Sequence, residues 1–292
     1  MKDRIMFFES EHVYYYNEKK VPSATRIIKR MSKAFDGDYW ATFKAIKDVF
    51  PEEMAIEKGK HMDGAKCKVK PFKTVEYSDL ILNPILEANP GKVAEYFKKR
   101  AEYLAAWNYK RDIASFRGTR FHVEQERLDR EQGGRINPWT GKFAKHVNSK
   151  MDLSECDNYS LVEDLADLED GYYTELLLFD HDLNYCGQAD MVWIESGRKY
   201  RYFYIDDHKT NEEKPKKSAP NRYYSPLSAM YASKHNNYMM QSNLYAHTLV
   251  RAGYRCKGLA YTWYDGYDSK KSIREEFKYD PKLMKKVCEN FL

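Results

Sequence analysis

The stretch YFYIDDHKT, residues 202–210, is an apolar strand that ends in charged residues. Successive side chains of a strand alternate between its two faces, which places Asp207 and Lys209 together on one face. Asp206 and His208 point to the opposite face. A carboxylate and an ammonium group at the end of an apolar strand face are costly to bury without a role. We expect this pair to hold a divalent cation against a phosphate group.

Two earlier strand-like runs, residues 173–179 and 187–194, each place an acid among apolar neighbours of the same face. Asp190 shares its face with Val192 and therefore needs a partner. Glu175 fits either of two interpretations, an exposed carboxylate of an edge strand or a residue of the site.

Two predicted helices carry further polar pairs. His122 and Glu126 are four residues apart, and so are Gln241 and Tyr245. This spacing places each pair on one helix face. Taken alone, either pair is also typical of an ordinary solvated helix surface. Together with the acids of the strands, however, these residues form a candidate site.

Periodicity and turn signals predict a mixed α/β protein. The predicted helices span residues 90–108, 112–131 and 238–252, and the predicted strands span residues 173–179, 187–194, 202–209 and 258–264. From residue 112 onward the order is helix, three strands, helix and strand, followed by a charged C-terminal helix. A short hairpin over residues 5–16 and a helix start at Ser23 open the chain. We expect two domains, residues 1–110 and residues 111–292.

Composition indicates a soluble globular protein, with 42% apolar and 32% charged residues. No secretory signal is visible and no apolar run is long enough to span a membrane, so a cytoplasmic location without membrane partners is expected. The five cysteines lie far apart and form no CxxC pair. This favours a reducing compartment and argues against a structural zinc or iron–sulfur site.

Charge is unevenly distributed along the chain. Residues 151–172 contain eight acids and no Lys or Arg, so the net charge of +5 rises by eight, to +13, when this segment is left out. A basic excess suits a polyanionic partner, although many soluble surfaces carry one. The 25 tyrosines likewise suit either stacking on nucleic-acid bases or ordinary packing.

Four short motifs carry a resemblance to a known family. They are GTRFH at residues 118–122, GQAD at residues 187–190, DHKT at residues 207–210 and QSNLY at residues 241–245. Their types and order resemble the PD-(D/E)XK nuclease superfamily, and within it the RecB-like exonucleases, which include many phage exonucleases and the mitochondrial genome maintenance exonuclease. Ala189 stands where the superfamily signature has a proline. His12, Tyr14 and the segment VPSAT, residues 21–25, also resemble the opening of phage members.

The resemblance implies a fold and a set of site residues. The implied fold is α/β (α+β), with a restriction-endonuclease-like αβββαβ core, a mixed central sheet flanked by helices, and a mainly helical N-terminal region that threads or binds the substrate. The implied ligands of Mg²⁺ or Mn²⁺ are the side chains of His122, Asp190 and Asp207 and the backbone carbonyl of His208. The implied catalytic residues are Asp190, Asp207, Lys209, Glu175, Gln241 and Tyr245.

Individual roles follow from the same resemblance. Lys209 is expected to stabilise the attacking hydroxide and the developing negative charge. Gln241 and Tyr245 are expected to brace the site or to touch the DNA backbone, and Glu126 to orient His122. The basic residues after the catalytic strand are expected to grip the substrate, although charge runs are often only solvated loops. These residues are Lys214, Lys216, Lys217 and Arg222.

The activity implied is that of a metal-dependent DNA exonuclease that acts in phage or bacterial DNA recombination, repair or degradation, within the host cytoplasm if phage-encoded. The implied partners are linear DNA ends, a single-strand annealing protein and further copies of the chain. Two alternatives stay open. One is a structure-specific or restriction-like endonuclease, and the other is a non-catalytic nucleic-acid-binding protein that keeps the fold.

Overall fold

The structure is a computed structural model, which describes residues 4–8, 13–60, 62–63, 66–67, 75–148, 159–161, 165–265 and 271–292. The strands are β1 (Arg4–Phe8), β2 (Val13–Tyr16), β3 (Lys19–Val21), β4 (Met62–Asp63), β5 (Lys66–Cys67), β6 (Gly134–Ile136), β7 (Phe143–Lys145), β8 (Tyr159–Leu161), β9 (Gly171–Asp180), β10 (Tyr185–Ser196), β11 (Arg201–Lys209), β12 (Arg255–Tyr264) and β13 (Ser272–Phe277). The helices are α1 (Ala24–Arg30), α2 (Gly37–Val49), α3 (Pro51–Lys60), α4 (Val75–Ala88), α5 (Val93–Glu131), α6 (Lys234–Arg251) and α7 (Pro281–Phe291).

A five-stranded mixed sheet carries the predicted site residues. Its strand order is β13-β12-β11-β10-β9. β9, β10 and β11 are antiparallel neighbours, whereas β11 and β12 run parallel. The parallel pair requires a crossover connection, which α6 provides between the two strands. The expected mixed α/β class, with a mixed sheet and flanking helices, is confirmed.

Both faces of this sheet are covered by apolar side chains. Val192 and Ile205 on one face belong to the same buried core as Leu244 of α6. Trp193 and Tyr204, each one residue away in sequence, form a separate buried cluster on the other face. Burial of both faces accounts for the nearly continuous apolar sequences of these strands.

The N-terminal residues form a second, four-stranded sheet of order β3-β2-β1-β8. The expected hairpin is confirmed, because β1 pairs antiparallel with β2, while its turn lies outside the described residues. A second hairpin to β3, which the sequence did not suggest, turns at Asn17 and Glu18 with φ of 46° and 66°. The helix start at Ser23 is also confirmed, since its hydroxyl accepts a bond from the backbone N–H of Arg26 at 3.3 Å.

The chain divides into two compact units, residues 1–34 together with 116–292, and residues 35–115. This division differs from the expected split after residue 110. The physical reason is that Ile5 and Ile27 are fully buried in the same core as Leu176 of the large sheet. The unit of residues 35–115 has a core of its own, formed by Ala45, Ile46, Val49, Phe50, Met54, Ile85 and Tyr96.

One helix replaces two predicted helices. We expected separate helices over residues 90–108 and 112–131, but α5 is continuous over 39 residues. The segment between the two predictions, Tyr109 to Arg111, contains neither glycine nor proline, so nothing in it interrupts the helix. Gly118 lies within the helix and does not end it.

Gly258 allows the loop between β6 and β7 to pack on the central sheet. A Cβ atom at this position would lie 2.4 Å from the indole of Trp139. That indole has little room to move away. Its ring centroid lies 5.3 Å from that of Tyr204, and the guanidinium of Arg274 lies over the indole, 3.9 Å from its centroid.

We therefore expect Gly258→Ala to lower the free energy of unfolding by about 1–3 kcal/mol, the usual cost of overpacking a buried contact. Urea denaturation followed by circular dichroism measures this. Gly118→Ala is the control in the same unit, since its Cβ would make an ordinary 3.5 Å contact. It should stabilise the helix by roughly 1 kcal/mol. A Gly258→Ala variant as stable as the parent protein would contradict the packing described.

Candidate metal centre

Three possible metal ligands from three elements meet at one point. They are His122 of α5, Glu175 of β9 and Asp190 of β10, whose ligand atoms all lie within 4.8 Å of one another. His122 Nδ1 lies 3.4 Å from Glu175 Oε1 and 3.4 Å from Asp190 Oδ1. The side chains of His122 and Glu175 keep 28% and 19% of their surface exposed, so a ligand can reach the group from solvent.

Glu175 occupies an unusual backbone conformation within its strand. Its φ is 48°, in the left-handed region that bulky residues rarely adopt. The neighbouring residues on β9 keep their antiparallel pairing with β10, with Leu176 opposite Ala189 and Thr174 opposite Met191. Glu175 therefore stands opposite Asp190 at a local distortion of an otherwise regular ladder. Backbone strain of this kind is concentrated at functional positions of proteins.

The carboxylate of Asp190 also holds the end of β11. Its Oδ2 accepts a hydrogen bond from the backbone N–H of His208 at 2.5 Å. In a β-strand, the backbone N–H and the backbone C=O of one residue point toward the same neighbouring strand. The carbonyl oxygen of His208 is therefore directed to the side of Asp190, as a fourth ligand would require.

Asp207 and Lys209 form an ion pair beside this cluster. Asp207 is 2% exposed, and the ammonium of Lys209 also lies over the ring of Tyr238, 4.8 Å from its centroid. The hydroxyl of Tyr238 in turn bonds to Asn211. The sequence motifs did not identify Tyr238, although its position three residues before Gln241 on α6 places both on one helix face.

Asp206 points away from the cluster, as strand alternation predicted. Its two oxygens accept bonds from the hydroxyl of Thr262 at 3.0 and 3.1 Å, and Oδ2 also accepts one from Arg274 Nε at 2.7 Å. The ring of His208 lies 5.5 Å from the ring of Phe121 and 5.9 Å from that of His122, both measured between centroids. Burial lowers the pKa of this imidazole to about 3, so it is neutral at physiological pH.

The charges of the cluster perturb one another. Burial, followed by repulsion from Asp190, raises the pKa of Asp207 to about 7 and also raises the pKa of Glu175. Burial acts in the same direction on Asp190, but the neighbouring imidazole of His122 outweighs it and holds the pKa of that carboxyl well below its usual range. Burial likewise opposes the charge of Lys209, yet the two aspartates outweigh it and raise the pKa of the ammonium group.

Gln241 and Tyr245 lie behind the cluster. The amide of Gln241 donates a hydrogen bond to Tyr245 Oη at 2.8 Å and reaches Thr25 of α1 at 3.4 Å. Tyr245 is 3% exposed, and its ring lies so close to the backbone that a Cβ on Gly187 would come within 2.4 Å of it. Of the two roles expected for this pair, the burial of Tyr245 favours bracing the site over touching DNA.

The basic residues expected to grip DNA are engaged with the protein itself. Lys214 and Lys217 both pair with Glu275 of β13, at 2.9 and 3.8 Å, and Lys216 pairs with Glu213 at 3.2 Å. Arg222 donates to the carbonyl of Ala229 at 2.7 Å and lies over the ring of Tyr231. The structure thus does not bring these four cations to the cluster.

Glu126 does not contact His122 in the way we expected. Its carboxylate pairs with Arg130, one turn further along α5, at 2.9 Å. The orientation of His122 comes instead from Glu175 and Asp190, between which its Nδ1 lies. Helical spacing alone could not distinguish these partners, since Glu126 has a neighbour at i+4 on either side.

Comparison with family models, with curated proteins and with solved structures gives no match for this chain. Among the helices that the structure describes, none is both long and apolar enough to cross a membrane. The chemistry of the site therefore rests on its own geometry. Two carboxylates and an imidazole converge beside a buried carboxylate–lysine pair, an arrangement suited to binding a divalent cation next to an anion.

We expect Glu175→Gln to raise the free energy of unfolding of the metal-free protein, because it removes the repulsion between two facing carboxylates. It should also reduce stabilisation by added Mn²⁺. An ion that binds only the folded state stabilises it by about 2.7 kcal/mol at 100 times its Kd. Thermal unfolding at one pH, with and without MnCl₂, measures both effects.

Glu289→Gln is the matched control, since this exposed carboxylate of α7 pairs only loosely with Lys285 at 3.8 Å. It should change neither quantity. Equal stabilisation of both variants by Mn²⁺ would exclude Glu175 from a metal centre. A less stable metal-free Glu175→Gln protein would contradict the repulsion between the two carboxylates.

Proposed function

We propose that this protein is a metal-dependent deoxyribonuclease of the exonuclease type, which hydrolyses phosphodiester bonds of DNA. The observation that carries the proposal is the position of the Asp207–Lys209 pair beside His122, Glu175 and Asp190. Ligands for a cation and a separate fixed cation in one place suit a phosphodiester, because its cleavage requires charge stabilisation on more than one oxygen.

The arrangement of elements supports the same proposal. Apart from the short strands β6, β7 and β8 that follow α5, the elements α5, β9, β10, β11, α6 and β12 come in the αβββαβ order that the resemblance implies. The candidate residues lie on four of these elements, α5, β9, β10 and β11, and Tyr245 on a fifth, α6. Each of the four motifs that resemble RecB-like exonucleases thus contributes a residue to the cluster or to its immediate support.

The donor set suits a divalent cation. The carboxylates of Asp190, Glu175 and Asp207 are the oxygen ligands that Mg²⁺ and Mn²⁺ prefer. The imidazole of His122 is a softer ligand, which Mg²⁺ takes less readily than transition metals do. We propose that His122, Asp190, Asp207 and the carbonyl of His208 hold the ion, with Glu175 as a further carboxylate ligand beside Asp190. A bound divalent ion would supply Lewis-acid activation of water and of the phosphate.

The other residues of the site stabilise the charge of the phosphate and hold the ligands in place. The ammonium of Lys209 is held by Asp207 and by the ring of Tyr238, so it needs no reorganisation to stabilise negative charge as it develops on the phosphate. Its raised pKa keeps it charged at any physiological pH. Tyr245 and Gln241, which are joined by a hydrogen bond behind the cluster, brace the site.

Loss of the ammonium group should remove most of the activity. We expect Lys209→Met, which keeps the length of the side chain, to reduce cleavage of linear DNA by at least about 100-fold, the usual loss when one charge-stabilising group is removed. Release of acid-soluble nucleotides in the presence of Mn²⁺ or Mg²⁺ measures this, and chelation should abolish the wild-type activity.

Lys257→Met is the matched control, because Lys257 also lies over a tyrosine ring, that of Tyr202, at 4.7 Å from its centroid. It should cleave as the wild type does. Absence of cleavage by the wild-type protein with any of these ions, or equal cleavage by Lys209→Met, would overturn the proposed function.

Dependence on a DNA end distinguishes an exonuclease from an endonuclease with the same chemistry. We expect linear DNA to be degraded to small products while covalently closed circular DNA of the same sequence stays intact. Gel electrophoresis of both substrates in one reaction measures this. Conversion of the closed circle to nicked or linear forms would favour the endonuclease alternative.

A further inference from the structure

A basic pocket lies where α5 ends. It has a volume of about 480 Å³ and is lined by Arg130, Gly133, Lys145, His146 and Asn148. These residues come from the last turn of the helix and from the base of the hairpin formed by β6 and β7. None of them is among the residues proposed above to bind the metal or the scissile phosphate.

The lining of this pocket suits an anion. Lys145 is exposed and makes no ion pair among the residues that the structure describes. Two of the carbonyl groups at the end of α5, which would repel an anion, are occupied, because Arg130 accepts a bond from Gly133 and Leu128 one from Gln132. The guanidinium of Arg130 is engaged by Glu126, so among the described residues Lys145 is the lining cation that makes no ion pair.

The outer face of the same hairpin is apolar. Ile136 and Phe143 stand directly opposite each other on β6 and β7 and are 59% and 60% exposed. Gly134 and Lys145, the pair two residues further along the ladder, share that face. The opposite face is fixed to the protein, since Arg135 pairs with the buried Asp129 at 2.9 Å. A rigid hairpin therefore presents an aromatic ring and a cation side by side.

Two connections link this hairpin to the metal centre. His146 Nε2 lies 3.0 Å from the hydroxyl of Thr174, the residue before Glu175 on β9. Along α5, His122 and Arg130 are eight residues apart, which corresponds to about 12 Å along the helix axis and a rotation of about 80° around it. The pocket thus lies within a few nucleotides' reach of the centre.

We infer that the β6–β7 hairpin and the end of α5 form a binding site for single-stranded DNA, with a phosphate in the pocket at Lys145 and an unstacked base on Phe143. The inference rests on the proposed function and adds the form of the substrate that the centre receives. Phosphates near a cation and bases on an aromatic ring are the two contacts by which proteins hold single strands irrespective of sequence. A base within a duplex could not stack in this way, because its faces are covered by neighbouring bases.

The test measures binding without cleavage. Fluorescence anisotropy with a labelled single-stranded oligodeoxynucleotide, in the presence of EDTA, gives Kd for the wild-type protein and for Phe143→Ala and Lys145→Gln. Both side chains are exposed, so both variants should fold. We expect Phe143→Ala to weaken binding about tenfold, within the range found when one stacked aromatic residue is removed.

Salt dependence separates the two contacts. For a single strand, each neutralised phosphate contributes about 0.7 to the slope of log K against log salt concentration. Lys145→Gln should lower the magnitude of the slope by about that amount, whereas Phe143→Ala should leave the slope unchanged. An oligomer made of abasic sites, which keeps the phosphates and lacks the bases, should bind equally well to the wild type and to Phe143→Ala.

Ile273→Ala and Lys282→Gln are the matched controls, an exposed apolar residue of β13 and an exposed lysine of α7. Neither should change Kd or the salt slope. If Phe143→Ala and Lys145→Gln bind the oligonucleotide as tightly as these controls do, the inference is wrong even when the wild-type protein cleaves DNA. If the wild type binds through both residues but never cleaves, the binding site stands and the proposed function fails.

Discussion

The structure depends on balancing charges that the sheet brings together. Glu175, Asp190 and Asp207 lie on three adjacent strands, where burial and mutual repulsion disfavour three negative charges. Lys209 and His122 compensate part of that charge within the protein. The compensation is incomplete, because His122 is shared between two carboxylates at 3.4 Å each. An arrangement that leaves negative charge uncompensated in a buried place is destabilising by itself and is suited to receive a cation.

The packing of the rest of the fold compensates for the destabilisation that this cluster of charges causes. The sheet is packed on both faces, by the core that includes Leu244 on one side and by the cluster of Trp193 and Tyr204 on the other. Such packing contributes far more free energy than one cluster of repelling groups takes away. The distortion at Glu175 is confined to a single position, since the pairs on either side of it keep their register. The rigid structure around Glu175 therefore offsets the local free-energy cost of this distortion. Functional sites keep strained residues under the same condition.

Strand alternation made part of the site predictable from sequence. The period of two residues identified Asp207 as the partner of Lys209, because it depends only on local geometry. The conformation of Glu175 could not be predicted, since nothing in a run of Tyr, Thr and Leu residues indicates a positive φ. The pairing of Lys214 with Glu275 was also hidden, because β13 has a weakly alternating, charged sequence and was not recognised as a strand. Contacts between distant segments are fixed by tertiary packing, which periodicity does not describe.

The adjacent residues Asp206 and Asp207 differ in whether their carboxylates are available to bind a metal ion. Asp206 accepts bonds from Thr262, from Arg274 and from the backbone N–H of Asp207, so its lone pairs are largely occupied. Asp207 accepts a side-chain bond only from Lys209 among the residues described. A metal ion can therefore recruit Asp207 without breaking a network, whereas recruiting Asp206 would break its bonds to Thr262 and Arg274. Two identical side chains in one strand thus differ in their availability to a ligand because one is saturated with hydrogen bonds and the other is not.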